Sequence, residues 1–369
     1  LVLCEYPSLN GGERSFLEVA KRLSAKGIEY VVATPAQGPL PDALDQIGMV
    51  RTDFPLSDKS GTRYSRDVLQ QNLRQLVIST RADIVHANSV SMSRISGPVA
   101  RPPGVSSIGH IRDIIKISAA AVRDLNGHDR LLSVSEATRS WYVGMGLQEE
   151  KAFVEYNGVD LDSFRPREST GYLHAELGLP DSTQLVGNIG QIGIRKGTEL
   201  FVRAARLVAS ETGDSHFVIV GQRFSQKAEA IEFERLVRAI STKEPLRGRV
   251  HFLGVRNDMP PLLNELTLLV HAARQEPLGR VLLESAASGV PVVATKVGGT
   301  QEIFAADQTD VLLTEPGSEA ELAAAMQQLL ASPEKRQALA RSARLRMEAM
   351  FDGRASADRI ASHYFDLTG

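Results

Sequence analysis

At 369 residues the chain is too long for one comfortable hydrophobic core, so two domains are expected. A net charge of −2, balanced to 19 basic against 19 acidic residues over 1–165, leaves neither half basic enough to hold nucleic acid by bulk electrostatics. A single cysteine, Cys4, excludes an intrachain disulfide framework and argues against a cysteine-built metal site.

The sequence begins at Leu1, without a Met, in a short apolar run that reads as a strand and should bury Cys4. No signal peptide is legible, and the natural start is expected to lie upstream. No apolar run reaches the ~18 residues of a membrane-spanning helix, so a cytoplasmic protein is expected. Strand-like runs follow at Tyr30–Thr34, Ala82–Ala87, Arg130–Ser135, Gln184–Gly190, His216–Gly221, Arg249–Gly254, Thr267–Ala272 and Val290–Thr295. Most are continuously apolar rather than alternating, as befits parallel strands buried on both faces. Helical stretches lie between them, giving repeated βαβ units. The pattern pauses once, at the polar, turn-rich Tyr156–Thr170, where the linker is placed. The resulting α/β architecture is two doubly wound, Rossmann-like domains with a cleft. Their ligands should bind beyond the carboxyl ends of the strands. A terminal helix carries apolar Ala357, Ile360, Ala361, Tyr364 and Phe365.

Three strand-to-helix turns carry chemistry. In "SLNGGERSFLEVAKRL", Gly11 and Gly12 allow close backbone approach, and the helix that follows offers free N–H groups to an anion. In "GQIGIRKGTELF", Arg195 and Lys196 precede a helix, where two cations would stabilise a diphosphate. Neither segment has the GxGxxG spacing of a dinucleotide site. In "ARQEPLGRVLLESAASGVPVVAT", a loop carries Glu276, Pro277 favours helix initiation, and a helix spans Gly279–Ser288. The N–H groups near Leu278, Gly279 and Arg280 would form another anion site. Glu284, about one and a half turns further on, can accept from a pair of neighbouring hydroxyls such as those of a ribose.

These segments together resemble the retaining, sugar-nucleotide-dependent glycosyltransferases that carry an E-x7-E motif (group 1, family 4). "GGER", the interdomain "NGVDLDSFRP", "RKG" and above all "EPLGRVLLESAASGVPVVATKVGGTQEIF" carry the likeness, which extends over essentially the whole chain. The resemblance implies a GT-B fold, two Rossmann-like domains facing a central cleft. An acceptor-binding domain would span 1–165, a nucleotide-sugar-binding domain 166–350, and a closing helix, 351–369, would cross back to the first. It implies donor contacts from Gly11, Gly12, Arg195, Lys196, Val255, Arg256, Leu278, Gly279, Arg280 and Glu284. It implies catalytic roles for Lys196, Glu276 and His110, the last in "SSIGHIRD" after a first-domain strand. Two positions depart from the family: Gln191 stands where Arg is frequent, with Arg195 expected to substitute, and Leu278 stands where Phe is common.

The implied activity is transfer of a sugar from a nucleoside-diphosphate sugar, with UDP expected from its frequency in the family. The acceptor would be a glycan, a lipid-linked or a small molecule. No cofactor is expected, and the lack of an Asp-x-Asp triplet removes the need for a metal. The alternatives are a sugar-nucleotide epimerase or phosphorylase of the same fold, or a non-catalytic nucleotide-sugar-binding protein. Arg63, Arg66, Arg94 and Arg101 could face an anionic head group, although scattered solvated arginines are the better reading. Peripheral contact with the inner face of the membrane therefore stays open.

Overall fold

Short β-branched runs, buried on both faces, have no edge to spare for solvent and pair side by side. The computed structural model describes residues 1–211 and 213–369. In it, Leu1–Gly158 with Gly353–Gly369 form one unit, and Val159–Asp352 another. The first unit holds a seven-stranded sheet of β1 (Val2–Leu3), β2 (Val31–Thr34), β3 (Val50–Asp53), β4 (Ile84–Ala87), β5 (Ser106–Ile111), β6 (Arg130–Ser133) and β7 (Ala152–Val154), in the order β3-β2-β1-β4-β5-β6-β7. The second holds β8 (Gln184–Ile189), β9 (Ser215–Val220), β10 (Val250–Gly254), β11 (Leu268–His271), β12 (Val292–Thr295) and β13 (Leu312–Thr314), in the order β10-β9-β8-β11-β12-β13. All strand pairings in both sheets are parallel. Parallel pairing requires crossovers, and helices supply them and cover the faces. These are two doubly wound Rossmann-like domains.

Serine caps start many of the helices. The hydroxyls of Ser65, Ser89, Ser118 and Ser135 each accept from the backbone N–H three residues on, satisfying one of the orphan donors of the first turn. In the second unit, helix Thr198–Glu211 lays Leu200, Phe201, Ala204, Ala205 and Val208 on the sheet residues Phe217, Ile219 and Val270. Phe201 meets Phe217 edge-on, with ring centroids 6.2 Å apart. In the first unit, Val2, Val32, Ile108 and Leu132 form a face covered by Phe16, Ala20 and Leu23 of helix Gly11–Ser24 and by Ala357, Ile360, Ala361 and Tyr364 of the terminal helix Gly353–Thr368. Phe365, read as part of that apolar face, is 61% exposed and points outward.

In each sheet the strand order reverses once, between β1 and β4 and between β8 and β11. The chain turns away to opposite faces on either side of these points, which opens a crevice at the carboxyl ends of the strands. The unit boundaries fall at Gly158 and Gly353, not at 165 and 351, because Val159–Phe164 joins the second unit: the Val159 N–H donates to the Phe351 carbonyl at 2.8 Å.

The chain leaves the first unit at Gly158 and returns beside it at Gly353. A Cβ at Gly158 would lie 2.4 Å from the Gly353 Cα, so glycine alone permits this approach. Gly158→Ala should therefore lower stability by roughly 1–3 kcal/mol in urea titration. An unchanged midpoint would show that the crossing is loose.

Candidate active site

In the second unit, the β8 turn and the β11 turn flank the point of reversal. The loop after β8 ends in a single 3-10 turn, Ile194–Lys196, closed by Gly197 at φ 64°. A Cβ on Gly197 would come within 1.8 Å of the Ala272 carbonyl oxygen, so the lysine turn is pressed against the end of β11. The Arg274 N–H donates to the Arg195 carbonyl at 2.8 Å, and the Asn188 amide to the Val270 carbonyl at 2.9 Å, fixing the two strand ends together.

Glu276 sits in this crevice, 4% exposed, and one carboxylate oxygen takes two partners. Lys196 Nζ donates to it, and His271 Nε2 lies 2.8 Å from the same atom. Burial pushes the Glu276 carboxyl up, but the Lys196 ammonium and the His271 N–H overcome burial and hold it well below the usual carboxylate range. Burial dominates at His271 and lowers it, against the pull of Glu276 and with further help from the Lys196 and Arg195 charges. At neutral pH Glu276 is therefore a carboxylate and His271 a neutral imidazole donating from Nε2, with Lys196 Nζ as the second donor.

Beyond Glu276 the chain turns at Gly279, φ 108°, into helix Arg280–Ala287. This start is uncapped by any side chain, and the Leu278 and Gly279 N–H groups meet no acceptor among the described residues. Leu278 itself is buried. Glu284, also buried, receives Arg280 Nε at 2.6 Å across one helical turn. The crevice thus presents fixed cations, open backbone N–H groups and two carboxylates. That set can hold a dianionic diphosphate and accept from hydroxyl groups. At the β10 end, Val255 is 54% exposed. Arg256 is clamped by Glu176 at 2.7 Å and Asp258 at 2.9 Å, so its charge is spent on the loop.

In the first unit, Gly11 and Gly12 open helix Gly11–Ser24, the first after β1, and their N–H groups meet no acceptor among the described residues. Glu13, at the third helical position, is buried. Burial raises its carboxyl, against the N–H groups of Glu13 and Asn10, an arrangement that ties down the first turn. His110 lies elsewhere than the sequence suggests. It is inside β5, not in the loop after it, and is 3% exposed. Its Nδ1 faces His86 Nε2 at 3.2 Å and Arg112 Nη2 at 3.1 Å, and its Nε2 has no partner among the described residues. The residue at the strand end is Arg112, half-buried, whose Cδ would sit 3.0 Å from a Cβ placed on Gly12. Each of the four arginines considered for an anionic head group has an acidic neighbour: Arg63 with Glu5, Arg66 and Arg94 with Asp124, and Arg101 with Asp129. Among the described residues, no cluster of three or more His, Cys, Asp or Glu could hold a metal ion, and no helix is long and apolar enough to cross a membrane.

Residues 172–346 match the family Glycosyl transferases group 1, and residues 9–163 match Glycosyltransferase Family 4. The chain belongs to the group 1 glycosyltransferases. The lipopolysaccharide glucosyltransferase WaaG of Escherichia coli (strain K12) is 24% identical over 93% of this chain and 92% of its own length. The lipopolysaccharide core biosynthesis mannosyltransferase LpcC of Rhizobium leguminosarum bv. viciae is 32% identical over 58% and 59%. HepE of Anabaena, solved in complex with UDP-glucose, superposes with a TM-score of 0.84 at 22% identity, covering 99% and 98% of the two chains. The fold of this glycosyltransferase is accordingly GT-B.

Sequence reasoning missed His271, Arg112, Asn88 and His86. A signal existed for two of them. "IVHA" and "LLVHA" each place a histidine at the carboxyl end of an otherwise apolar strand, and both strands border a point of reversal. Burial with the Arg112 cation nearby depresses His86 to about 3 and holds His110 well below its ordinary value. An unfolded histidine takes a proton near pH 6.5, so between there and about pH 3 the unfolded chain binds more protons than the folded one. The stability from neutral His86 is complete above pH 6.5 and drains away as the pH falls through that window. Urea titrations at pH 7 and pH 5 should differ by more than 1 kcal/mol, and His86→Gln should flatten the slope. Equal slopes for the two proteins would contradict a buried neutral His86.

Proposed function

We propose that this glycosyltransferase moves a sugar, with retention of anomeric configuration and without a metal, from a nucleoside-diphosphate sugar to a glycan, lipid-linked or small-molecule acceptor. UDP is the proposed nucleotide. The observation that carries the reading is the crevice of the second unit, where Lys196, Glu276 and the uncapped Gly279 turn stand together at a point of strand reversal. The UDP-glucose complex of HepE and the glucosyl and mannosyl transfer named for WaaG and LpcC support it.

Negative charge grows on the diphosphate as the carbon–oxygen bond to the sugar breaks. Lys196, with Arg195 beside it, and the open N–H groups of Leu278 and Gly279 are placed to take up that charge, and they are in place before the reaction begins. Glu276 is held ionised, so it accepts hydrogen bonds from the sugar and favours its developing positive charge rather than giving a proton. Glu284 accepts from the ribose hydroxyls. The Gly11–Gly12 turn of the first unit offers its N–H groups to an anion. His110, being buried, acts through its neighbours and not by touching the reacting carbon.

Thermal unfolding with excess UDP, GDP or ADP tests this reading. One nucleotide at about one hundred times its Kd should add roughly 2.7 kcal/mol of apparent stability, and Glu284→Ala should abolish the rise. Lys196→Ala should cut kcat by about 10²–10³, and transfer should persist in EDTA. No stabilisation by any of the three nucleotides, together with a Lys196→Ala loss below about threefold, would overturn the proposal.

A further inference from the structure

Two polar histidines are buried on the face of the first sheet that otherwise carries Val2, Val32, Ile108 and Leu132. The donor chemistry above gives neither of them a contact with substrate. Register places His86 beside Ile108, so His110 lies two residues further along the same face, toward the carboxyl ends. The terminal helix covers this face and contributes Tyr364, whose hydroxyl is 2.7 Å from His86 Nδ1.

We propose that the terminal helix positions the glycine turn through a buried hydrogen-bond relay, Tyr364–His86–His110–Arg112–Asn88–Gly12.

The direction of every proton in the relay follows from its one-way members. A guanidinium only donates, so the Arg112 Nη2 contact at 3.1 Å makes His110 Nδ1 an acceptor. His86 Nε2, 3.2 Å from the same atom, must then carry a hydrogen and donate. A neutral imidazole has one N–H, so His86 Nδ1 is bare and accepts from the Tyr364 hydroxyl. Both histidines are thus neutral Nε2–H tautomers. Depressed proton affinity at both sites keeps them so across the neutral range. On the other side, Arg112 Nε donates to Asn88 Oδ1 at 3.0 Å, and Asn88 Nδ2 donates to the Gly12 carbonyl at 3.3 Å. Asn157 Oδ1 receives Arg112 Nη1 at 2.8 Å and fixes the remaining edge of the fork. A planar fork held at three edges has one orientation, and it lies against Gly12.

A helix from the far end of the sequence therefore orients the turn that opens the chain's first helix. Tyr364, His86 and His110 are positioning residues, since none is assigned a contact with substrate. The proposal rests on the reading that the Gly11–Gly12 turn meets an anionic group of a nucleotide. Its structural half can be tested without that reading.

The experiment uses the whole chain labelled with 15N. In the wild type at pH 7, His86 and His110 should both show the shift pattern of protonated Nε2 and bare Nδ1. Tyr364→Phe and His86→Leu should move the Gly11 and Gly12 amide resonances. They should also weaken, by roughly tenfold, binding of whichever of UDP, GDP and ADP stabilises the wild type most. His86→Gln, which keeps an N–H donor, should recover most of the affinity that His86→Leu loses, and Phe365→Ala on the same helix should change nothing. A protonated Nδ1 on either histidine would overturn the relay. So would glycine amides blind to Tyr364→Phe, or equal losses from His86→Leu and His86→Gln. If no nucleotide binds the wild type, the donor reading fails, while the tautomers and glycine resonances still decide the relay.

Discussion

A carboxylate taken out of water must be compensated or it takes a proton, and the second unit is organised around that constraint at Glu276. Its compensation comes from two segments distant in sequence: Lys196 from the turn after β8, and His271 from the end of β11. The backbone enforces the meeting, because Gly197 lets the lysine turn close onto the Ala272 carbonyl and Gly279 lets the chain double back beside Glu276. The Gly299 N–H bonds to the Glu276 carbonyl at 3.0 Å, so the loop is held from a third side. The ion pair is a poor source of net stability by itself, since desolvation offsets much of its attraction. Its value lies in placement: a cation held where a leaving diphosphate needs one.

The two units solve related problems differently. In each, a histidine followed by alanine ends a strand at the point of reversal, His86 on β4 and His271 on β11. His271 finds a carboxylate and donates to it. His86 finds a tyrosine hydroxyl on one side and a second imidazole on the other. The first arrangement fixes a charged cluster. The second fixes neutral tautomers, with Arg112 as the only formal charge in the chain of contacts that joins the terminal helix to Asn88. Both put directional hydrogen bonds behind a turn whose backbone N–H groups are open.

The fold was largely legible because continuous apolar runs separated by amphipathic stretches admit few packings other than parallel sheets covered by helices. The strands that escaped notice had physical reasons to do so. β3 and β7 are short sheet-edge strands with exposed residues, β13 is an edge strand of three residues, and β5 reads "SSIGHI", where serine, glycine and histidine mask a strand. Missing β5 displaced His110 from the interior to a loop. In the site, Glu276, Glu284 and Lys196 were readable because turn glycines and helix starts mark them locally. Arg256 was read as a ligand contact because one of its two partners, Glu176, becomes a neighbour only through the fold, although Asp258 stands two residues on. Arg112, Asn88 and Tyr364 are brought together from three separate elements, and no local spacing in the sequence announces them.

The claim on which the account stands is that Lys196 and Glu276 form a coupled, pre-set pair in the unliganded protein. A double-mutant cycle of Lys196→Ala and Glu276→Gln, read as unfolding free energy at pH 7, measures that coupling directly. The account predicts an interaction of about 1.5–3 kcal/mol, with the double variant far less damaged than the sum of the single ones. Effects that add within about 0.5 kcal/mol would mean that the two side chains do not sense each other, and the site as described would not exist.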